Sequence, residues 1–318
     1  YSQVTHDYET TELLAGTIPE DEPHGAQVMA RYRWFREEYE KVTRSWQDFG
    51  NPYRTQWFGM SVLRRATELE KRSELLDSLD DVIANTATFL SLSPGWDRVW
   101  SNEQGPVLED LQSLRRLCHQ VDSSDAAENG SIAERSKEER DWVRSRKQRL
   151  DDMTAGLEDG SLQPSAALDE LDEIASETKT KASRLAREAI DADTSSYADE
   201  RRRRYDDSVS STDAAYAGYW YLGGGHGSYN PHSTIRLNPS SPAISAIGSS
   251  GSSSSGVGAG GSFSSFTPVS DLVVGYSSAS SYTPSSSSGS GSSFSGSSFS
   301  GGYSGGGGFS GSGSSSSF

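Results

Sequence analysis

Apolar residues recur at Val28, Tyr32, Phe35, Tyr39, Val42, Trp46 and Phe49, in alternating steps of four and three. That spacing returns to nearly the same face of an α-helix at each turn, so it predicts an apolar seam on a helix from about Ala26 to Phe49. Arg31, Arg33, Arg36, Glu37, Glu38, Glu40, Lys41 and Arg44 fill the positions between and form its solvated back. Withdrawing a large apolar side chain from water contributes roughly 1.5–3 kcal/mol, so the seam requires a partner. Gly50-Asn51-Pro52 stops the helix. A second stripe, Val62, Leu69, Leu76, Ile83 and Leu90, repeats every seventh residue and is widened by Leu75, Leu79, Val82 and Phe89. It predicts a helix capped by Ser61 and running to about Leu92, and the short connection makes the two an antiparallel hairpin.

Ser93-Pro94-Gly95 reads as a stop and restart, with Ser93 placed to cap and Pro94 at the first helical position. Trp96, Val99 and Trp100 then form a short apolar turn before Gly105-Pro106 interrupts again. Val107, Leu111, Leu114, Cys118 and Val121 resume the four–three spacing for a third long helix. After a polar loop over 122–130, Ser131-Ile132-Ala133-Glu134 has the form of a capping box. The helix behind it carries Trp142, Val143, Leu150, Met153 and Leu157, and ends at Gly160. Pro164 opens a last long helix with Leu168, Leu171, Ile174, Ala182, Leu185 and Ala189 on one side. The pattern leaves open whether this pair packs as a second hairpin or extends away as a coiled-coil arm.

The fold class expected is therefore all-α, an antiparallel helical bundle or set of coiled-coil hairpins with a long disordered Ser/Gly-rich C-terminal tail. Its divisions are a polar leader over 1–25 (with a short helix at Thr10 to Ala15), a three-helix core bundle over 26–121, a charged hairpin or arm over 131–207, an aromatic, Pro-containing linker over 208–248, and a low-complexity tail over 249–318. The core seam is assigned to Val28, Tyr32, Phe35, Tyr39, Val42, Trp46, Phe49, Leu69, Leu76, Ile83, Leu90, Leu111, Leu114 and Cys118. In the tail, Phe263, Phe266, Tyr276, Tyr282, Phe294, Phe299, Tyr303, Phe309 and Phe318 punctuate Ser and Gly at irregular spacing. Such a segment has too little apolar surface to offset the entropy of ordering, so disorder is expected of it.

Charge sharpens the division. The formal charge is −16, and Asp213, Asp271 and Arg236 are the only charged side chains beyond residue 207, so −15 lies in residues 1–207. An acidic body repels phosphate, which argues against nucleic acid and favours basic partners. Cys118 is the single cysteine, which excludes an intrachain disulfide framework and a zinc knuckle. No secretory signal is evident and no apolar run reaches the length of a spanning helix. Residue 1 is Tyr, not Met, so the chain is read as an excerpt or processed product, with room for a membrane anchor upstream.

No catalytic signature emerges. His6, His24, His119, His226 and His232 show no i,i+4 pairing, and no metal-ligand pattern joins them. Gly223-Gly224-Gly225-His226-Gly227 lacks the Lys-Ser/Thr and following helix of a phosphate loop, and reads as spacer. Asp80-Asp81, Asp151-Asp152 and Asp206-Asp207 read as solvated carboxylates, because catalytic pairs need a cleft that shifts their pKa. Cys118, on the seam, reads as a buried small hydrophobe. The Arg201–Arg204 run beside Tyr219-Trp220-Tyr221 could meet anionic lipid, but bracketing acids cancel its charge and a solvated helix end is the simpler reading.

Ser233-Thr234-Ile235-Arg236-Leu237-Asn238-Pro239-Ser240-Ser241-Pro242 and Asp271-Leu272-Val273-Val274-Gly275-Tyr276 are specific in order. So are Glu12-Leu13-Leu14-Ala15-Gly16-Thr17-Ile18-Pro19 and His24-Gly25-Ala26-Gln27-Val28. With these motifs the chain resembles the long soluble region of actinobacterial membrane proteins, and its terminal Phe-Ser-Gly-Gly style is similar to tails of TPM-domain membrane proteins. The resemblance implies an upstream membrane anchor and carries over no catalytic residue. The expectation is a non-enzymatic interaction or scaffold region on the cytoplasmic side of a bacterial membrane, without a cofactor. It would bind protein partners, or itself, through acidic helix faces and a multivalent tail. The alternatives are a filament-type rod with a Gly/Ser tail, against which Pro52, Pro94, Pro106 and Pro164 argue, and a regulatory region of an enzyme.

Overall fold

A computed structural model describes residues 2–50, 59–212, 214–216, 235, 264–266 and 269–283. Contacts divide the chain after Tyr282, and the helices pack within residues 1–282. The described residues form an all-α helical bundle. Its helices are α1 (Ser2–Ala15), α2 (Gly25–Phe49), α3 (Met60–Leu90), α4 (Trp96–Asp122), α5 (Gly130–Glu158), α6 (Pro164–Asp191), α7 (Ala198–Thr212) and α8 (Val269–Ser280). A short 3₁₀ turn, Asp125–Glu128, joins α4 to α5. Strands β1 (Ala214–Tyr216) and β2 (Ser264–Phe266) pair antiparallel, with Ala215 opposite Ser265.

The helices pack as two groups that share the α3–α4 junction. In the first, α1 and α2 both lie on α3. Val28, Phe35 and Val42 of α2 are fully buried against Leu76, Leu79 and Ile83 of α3, and Tyr32, Leu69 and Leu90 are nearly so. Tyr39, Trp46 and Phe49 sit half-buried along the edge of the same seam. Tyr39 stacks on Tyr8 of α1 with ring centroids 4.4 Å apart, and the Trp46 indole donates to Ser73 Oγ at 3.1 Å. The polar leader expected over 1–25 is thus corrected. Val4, Thr11 and Ala15 of α1 are buried and the Tyr8 ring stacks on Phe35 as well as Tyr39, since a narrow stripe of small side chains and one ring suffices to dock a largely polar helix.

In the second group α4 is the shared wall: α5, α6 and α8 all pack on it. Leu111, Leu114, Leu117, Cys118 and Val121 have no exposed surface. The grouping of 26–121 as one bundle is corrected accordingly, because α4 belongs with α5, α6 and α8. Phe89 of α3 stacks on Trp100 of α4 at 5.6 Å, and the Trp100 indole donates to Thr154 Oγ1 of α5 at 2.9 Å. The helices α5 and α6 pack on each other and on α4 rather than extending as an arm. They are held further by Arg149 gripping both carboxylate oxygens of Glu170, at 2.6 and 2.7 Å.

Helix ends differ from expectation where glycine or asparagine outcompetes serine. Gly59, not Ser61, caps α3. Gly95, at φ +96°, begins α4 after Pro94 instead of at it, a left-handed turn that a side chain resists. Pro106 lies inside α4 instead of breaking it. Its fixed φ suits a helix and forfeits one hydrogen bond to the carbonyl of Asn102, while buried Trp100, Val107 and Leu111 hold the helix on either side. At α5 the cap is Asn129, whose Oδ1 accepts from Ser131 N at 3.2 Å and Ser131 Oγ at 2.7 Å. Ser131 is then inside the helix and forms no capping box.

The tail assignment is corrected at α8. Val269, Leu272, Val273, Tyr276 and Ala279 are buried against α4, α6 and α7. Asp110 of α4 accepts a hydrogen bond from the Val269 backbone N–H, placing an anion at the helix N-terminus. Helices α7 and α8 run antiparallel, and the β1–β2 ladder continues them. Ile235 is also fully buried in the core. The rest of the linker and tail, including Tyr219-Trp220-Tyr221, the Gly223–Gly227 run, His226 and His232, lies outside the described residues.

Two substitutions test this packing. Leu111→Ala is expected to lower stability by about 2–5 kcal/mol by leaving a cavity on α4, whereas Leu13→Ala, at a position 73% exposed, stays within about 0.5 kcal/mol; urea unfolding of both variants checks this. A Cβ at Gly275 would meet Ser208 Oγ at 2.3 Å. Gly275→Val is therefore expected to cost about 1–3 kcal/mol and to raise amide exchange in α8 before the rest of the body.

Candidate functional site

Two features stand out from the packed helices, an acidic seam and a polar cleft. The seam arises because α1 docks on the C-terminal half of α3. Between them, Ser2–Ala15 and residues 73–90 carry Asp7, Glu9, Glu12, Glu74, Asp77, Asp80 and Asp81 and not one Lys or Arg. Glu9, Glu12, Glu74 and Asp81 are exposed, while Asp80 is buried at the contact. Its Oδ1 has no hydrogen-bond partner. Burial pushes the Asp80 carboxyl up to about 6; a hydrogen bond with Thr11 opposes the shift, and Asp7, Asp81 and Asp77 reinforce it. Asp81 is raised as well, by burial and then by Asp77 and Asp7. The reading of Asp80-Asp81 as a solvated pair is thus corrected at Asp80, since the pattern of acids alone does not reveal that α1 covers it.

The cleft is built from helix ends. The α4 C-terminus, the 3₁₀ turn, the α6 C-terminus, the first turn of α7 and the α8 C-terminus enclose about 550 Å³. Ala189 and Ile190 supply an apolar floor, and Ser124, Ser281, Asp125, Glu128 and Asp193 supply polar walls. Serine hydroxyls turn back on the last carbonyls of their helices: Ser124 Oγ donates to Val121 O at 2.8 Å and Ser281 Oγ to Ser277 O at 2.6 Å. Arg201, at the mouth, donates to Asp193 Oδ2 at 2.8 Å and to Tyr282 O at 3.2 and 3.3 Å. Burial works to raise Asp193, but hydrogen bonds from Ser195 and Arg201 outweigh it and hold the carboxyl below its usual range. Gln120 Oε1 is buried with no hydrogen-bond partner.

The basic run Arg201–Arg204 is neutralised internally. Arg201 pairs with Asp193, Arg202 with Asp191 and Asp199, and Arg203 and Arg204 with Glu200. Arg204 also stacks over the Tyr282 ring at 3.8 Å. Cys118 is buried, and burial pushes its thiol up to about 11, so the thiolate nucleophile is suppressed at neutral pH. His119 is exposed, and His24 Nε2 lies 3.2 Å from Asp169 Oδ1. That contact, with Glu22 accepting from the Ser165 backbone N–H, ties the α1–α2 turn to the start of α6. Among the described residues, no group of three or more His, Cys, Asp or Glu is placed to hold a metal ion, and no helix is long and apolar enough to cross a membrane.

Sequence patterns locate the seam residues but not the cleft. The cleft is made by segments that are polar, short and distant in sequence, and its visible traces are Arg201 of the basic run and Tyr276 at the end of Asp271-Leu272-Val273-Val274-Gly275-Tyr276. A pH profile tests the buried carboxyl. Because the folded pKa of Asp80 lies above the ordinary value, its contribution favours the fold at low pH and is lost as pH rises from about 4 through about 6. Asp80→Asn is therefore expected to raise stability relative to the parent by about 1–3 kcal/mol at pH 7.5, with the gain vanishing near pH 4; paired thermal melts across this range check it.

Residues 1–171 match the family described as Domain of unknown function (DUF5129). The match covers more than half of the chain, which belongs to that family. It takes in α1 to α5 and the start of α6, so the cleft is completed largely by residues beyond it. No curated protein and no solved structure matches the chain.

Proposed function

We propose that this member of the family is a non-enzymatic interaction module that docks a basic protein surface on the α1–α3 face. The observation that carries the reading is the six carboxylates there besides the buried Asp80, with no Lys or Arg in Ser2–Ala15 or residues 73–90. Their mutual repulsion is relieved by a cationic partner, and complementary charge of this kind governs association rate and partner choice more than raw affinity. The buried Cys118 thiol and the internally paired Arg201–Arg204 run are consistent with that reading. The resemblance to soluble regions of membrane proteins supports a place beside a bacterial membrane, on its cytoplasmic side, with attachment through a segment preceding Tyr1. The Ser/Gly/aromatic tail would add weak, multivalent contacts.

Cross-linking in native cells, read by mass spectrometry, tests this. Glu9→Gln/Glu12→Gln/Glu74→Gln is expected to lose cross-links from α1 and α3 to Lys-rich partner surfaces, with the fold unchanged because all three side chains are exposed. A chain ending after Thr283, which retains α8, separates the tail's contribution from the body's. Undiminished cross-linking of the neutralised face sinks the reading.

A further inference from the structure

The polar cleft is independent of the acidic α1–α3 face and has a chemistry of its own. Three helices, α4, α6 and α8, end at its walls. Each C-terminus brings the negative end of a macrodipole, equivalent to about half an elementary charge at most, with its last carbonyls already accepting from following amides and serine hydroxyls. Asp125, Glu128 and Asp193 add three carboxylates, against which Arg201 is the one Lys or Arg in the lining. Arg201 is already committed to Asp193 and the Tyr282 carbonyl. Asp125 and Glu128, on the exposed 3₁₀ turn, enter no ion pair among the described residues with a base across the cleft. Beneath these groups lies the apolar floor of Ala189 and Ile190.

A negative rim over an apolar floor selects one class of ligand. A divalent metal would need converging carboxylates, and none cluster so among the described residues. An anion meets three helix C-termini and is repelled. A protonated amine on an alkyl chain suits this lining: its N–H groups donate to the Asp125 and Glu128 carboxylates and to serine hydroxyls, and its methylenes lie against the apolar side chains. A volume of about 550 Å³ accommodates such a chain and falls within the range of small-molecule sites. We infer that this cleft binds an alkylammonium group, supplied either by a free polyamine or by a lysine side chain of a partner protein.

Titration calorimetry on the full chain tests the assignment, with spermidine and a short lysine-containing peptide capped at both ends as probes. At least one probe is expected to bind, about tenfold more weakly in Asp125→Asn/Glu128→Gln and more weakly at higher ionic strength. A charge-matched control, Asp151→Asn/Asp152→Asn on the exposed face of α5, is expected to leave the affinity unchanged. Binding of spermidine alone assigns the free amine, and binding of the peptide alone assigns the partner's side chain. Failure of both probes at millimolar concentration, or equal weakening by the two double variants, overturns the inference. None of these substitutions touches α1 or α3, so the outcome is separable from that of the proposed docking face.

Discussion

Packing of four helices on one broad face of α4 is the constraint on which the rest of the body depends. An ordinary surface helix hides a narrow stripe against a single neighbour. Here α3, α5, α6 and α8 share a face on which Leu111, Leu114, Leu117 and Cys118 are all shut from solvent, while Gln112, Arg115 and His119 keep the opposite side wet. The same constraint explains why Pro106 is tolerated inside it. The residues around the proline are pinned by neighbours, so the loss of a single backbone hydrogen bond does not free the chain to turn. It also explains why α8 folds at all. Twelve residues are too few to hold a helix in water, and this one persists because α4, α6 and α7 present a groove already lined.

How much of this is legible in the letters depends on how far each element carries its own signal. The seams of α2, α3 and α4 are long, and their four–three spacing repeats often enough to name Val28, Phe35, Leu76 and Leu111 as interior. Helix α1 escapes such a reading because its contacts with the core, Val4, Tyr8, Thr11 and Ala15, include one polar and one very small side chain and make too weak an apolar stripe. Helix α8 escapes because its one apolar cluster sits in Ser/Gly-rich surroundings whose average argues for a solvated coil. The burial of Asp80 is invisible locally, since the group that covers it is about seventy residues away in sequence. Caps mislead for a related reason: Ser61 and Ser131 have the right chemistry, but Gly59 and Asn129 take the turn two residues earlier.

The body separates two kinds of negative surface. On α1 and α3 the charge belongs to side chains, is spread along a helix face, and is exposed to a large partner. At the far ends of α4, α6 and α8 much of it belongs to the backbone, because these helices finish together at one cleft. Backbone dipoles cannot be titrated away, whereas the buried Asp80 carboxyl, pushed up to about 6, responds to pH. The two regions therefore differ in what controls them. Salt acts on the side-chain charge of both, and the cleft adds a backbone contribution set by the topology of the bundle.

The small ladder of Ala214–Tyr216 with Ser264–Phe266 has a further consequence. It sets Tyr216 opposite Ser264, so the end of α7 and the start of α8 are fastened to each other at a third point, besides the close approach of Gly275 to Ser208 and the grip of Arg201 on the Tyr282 carbonyl.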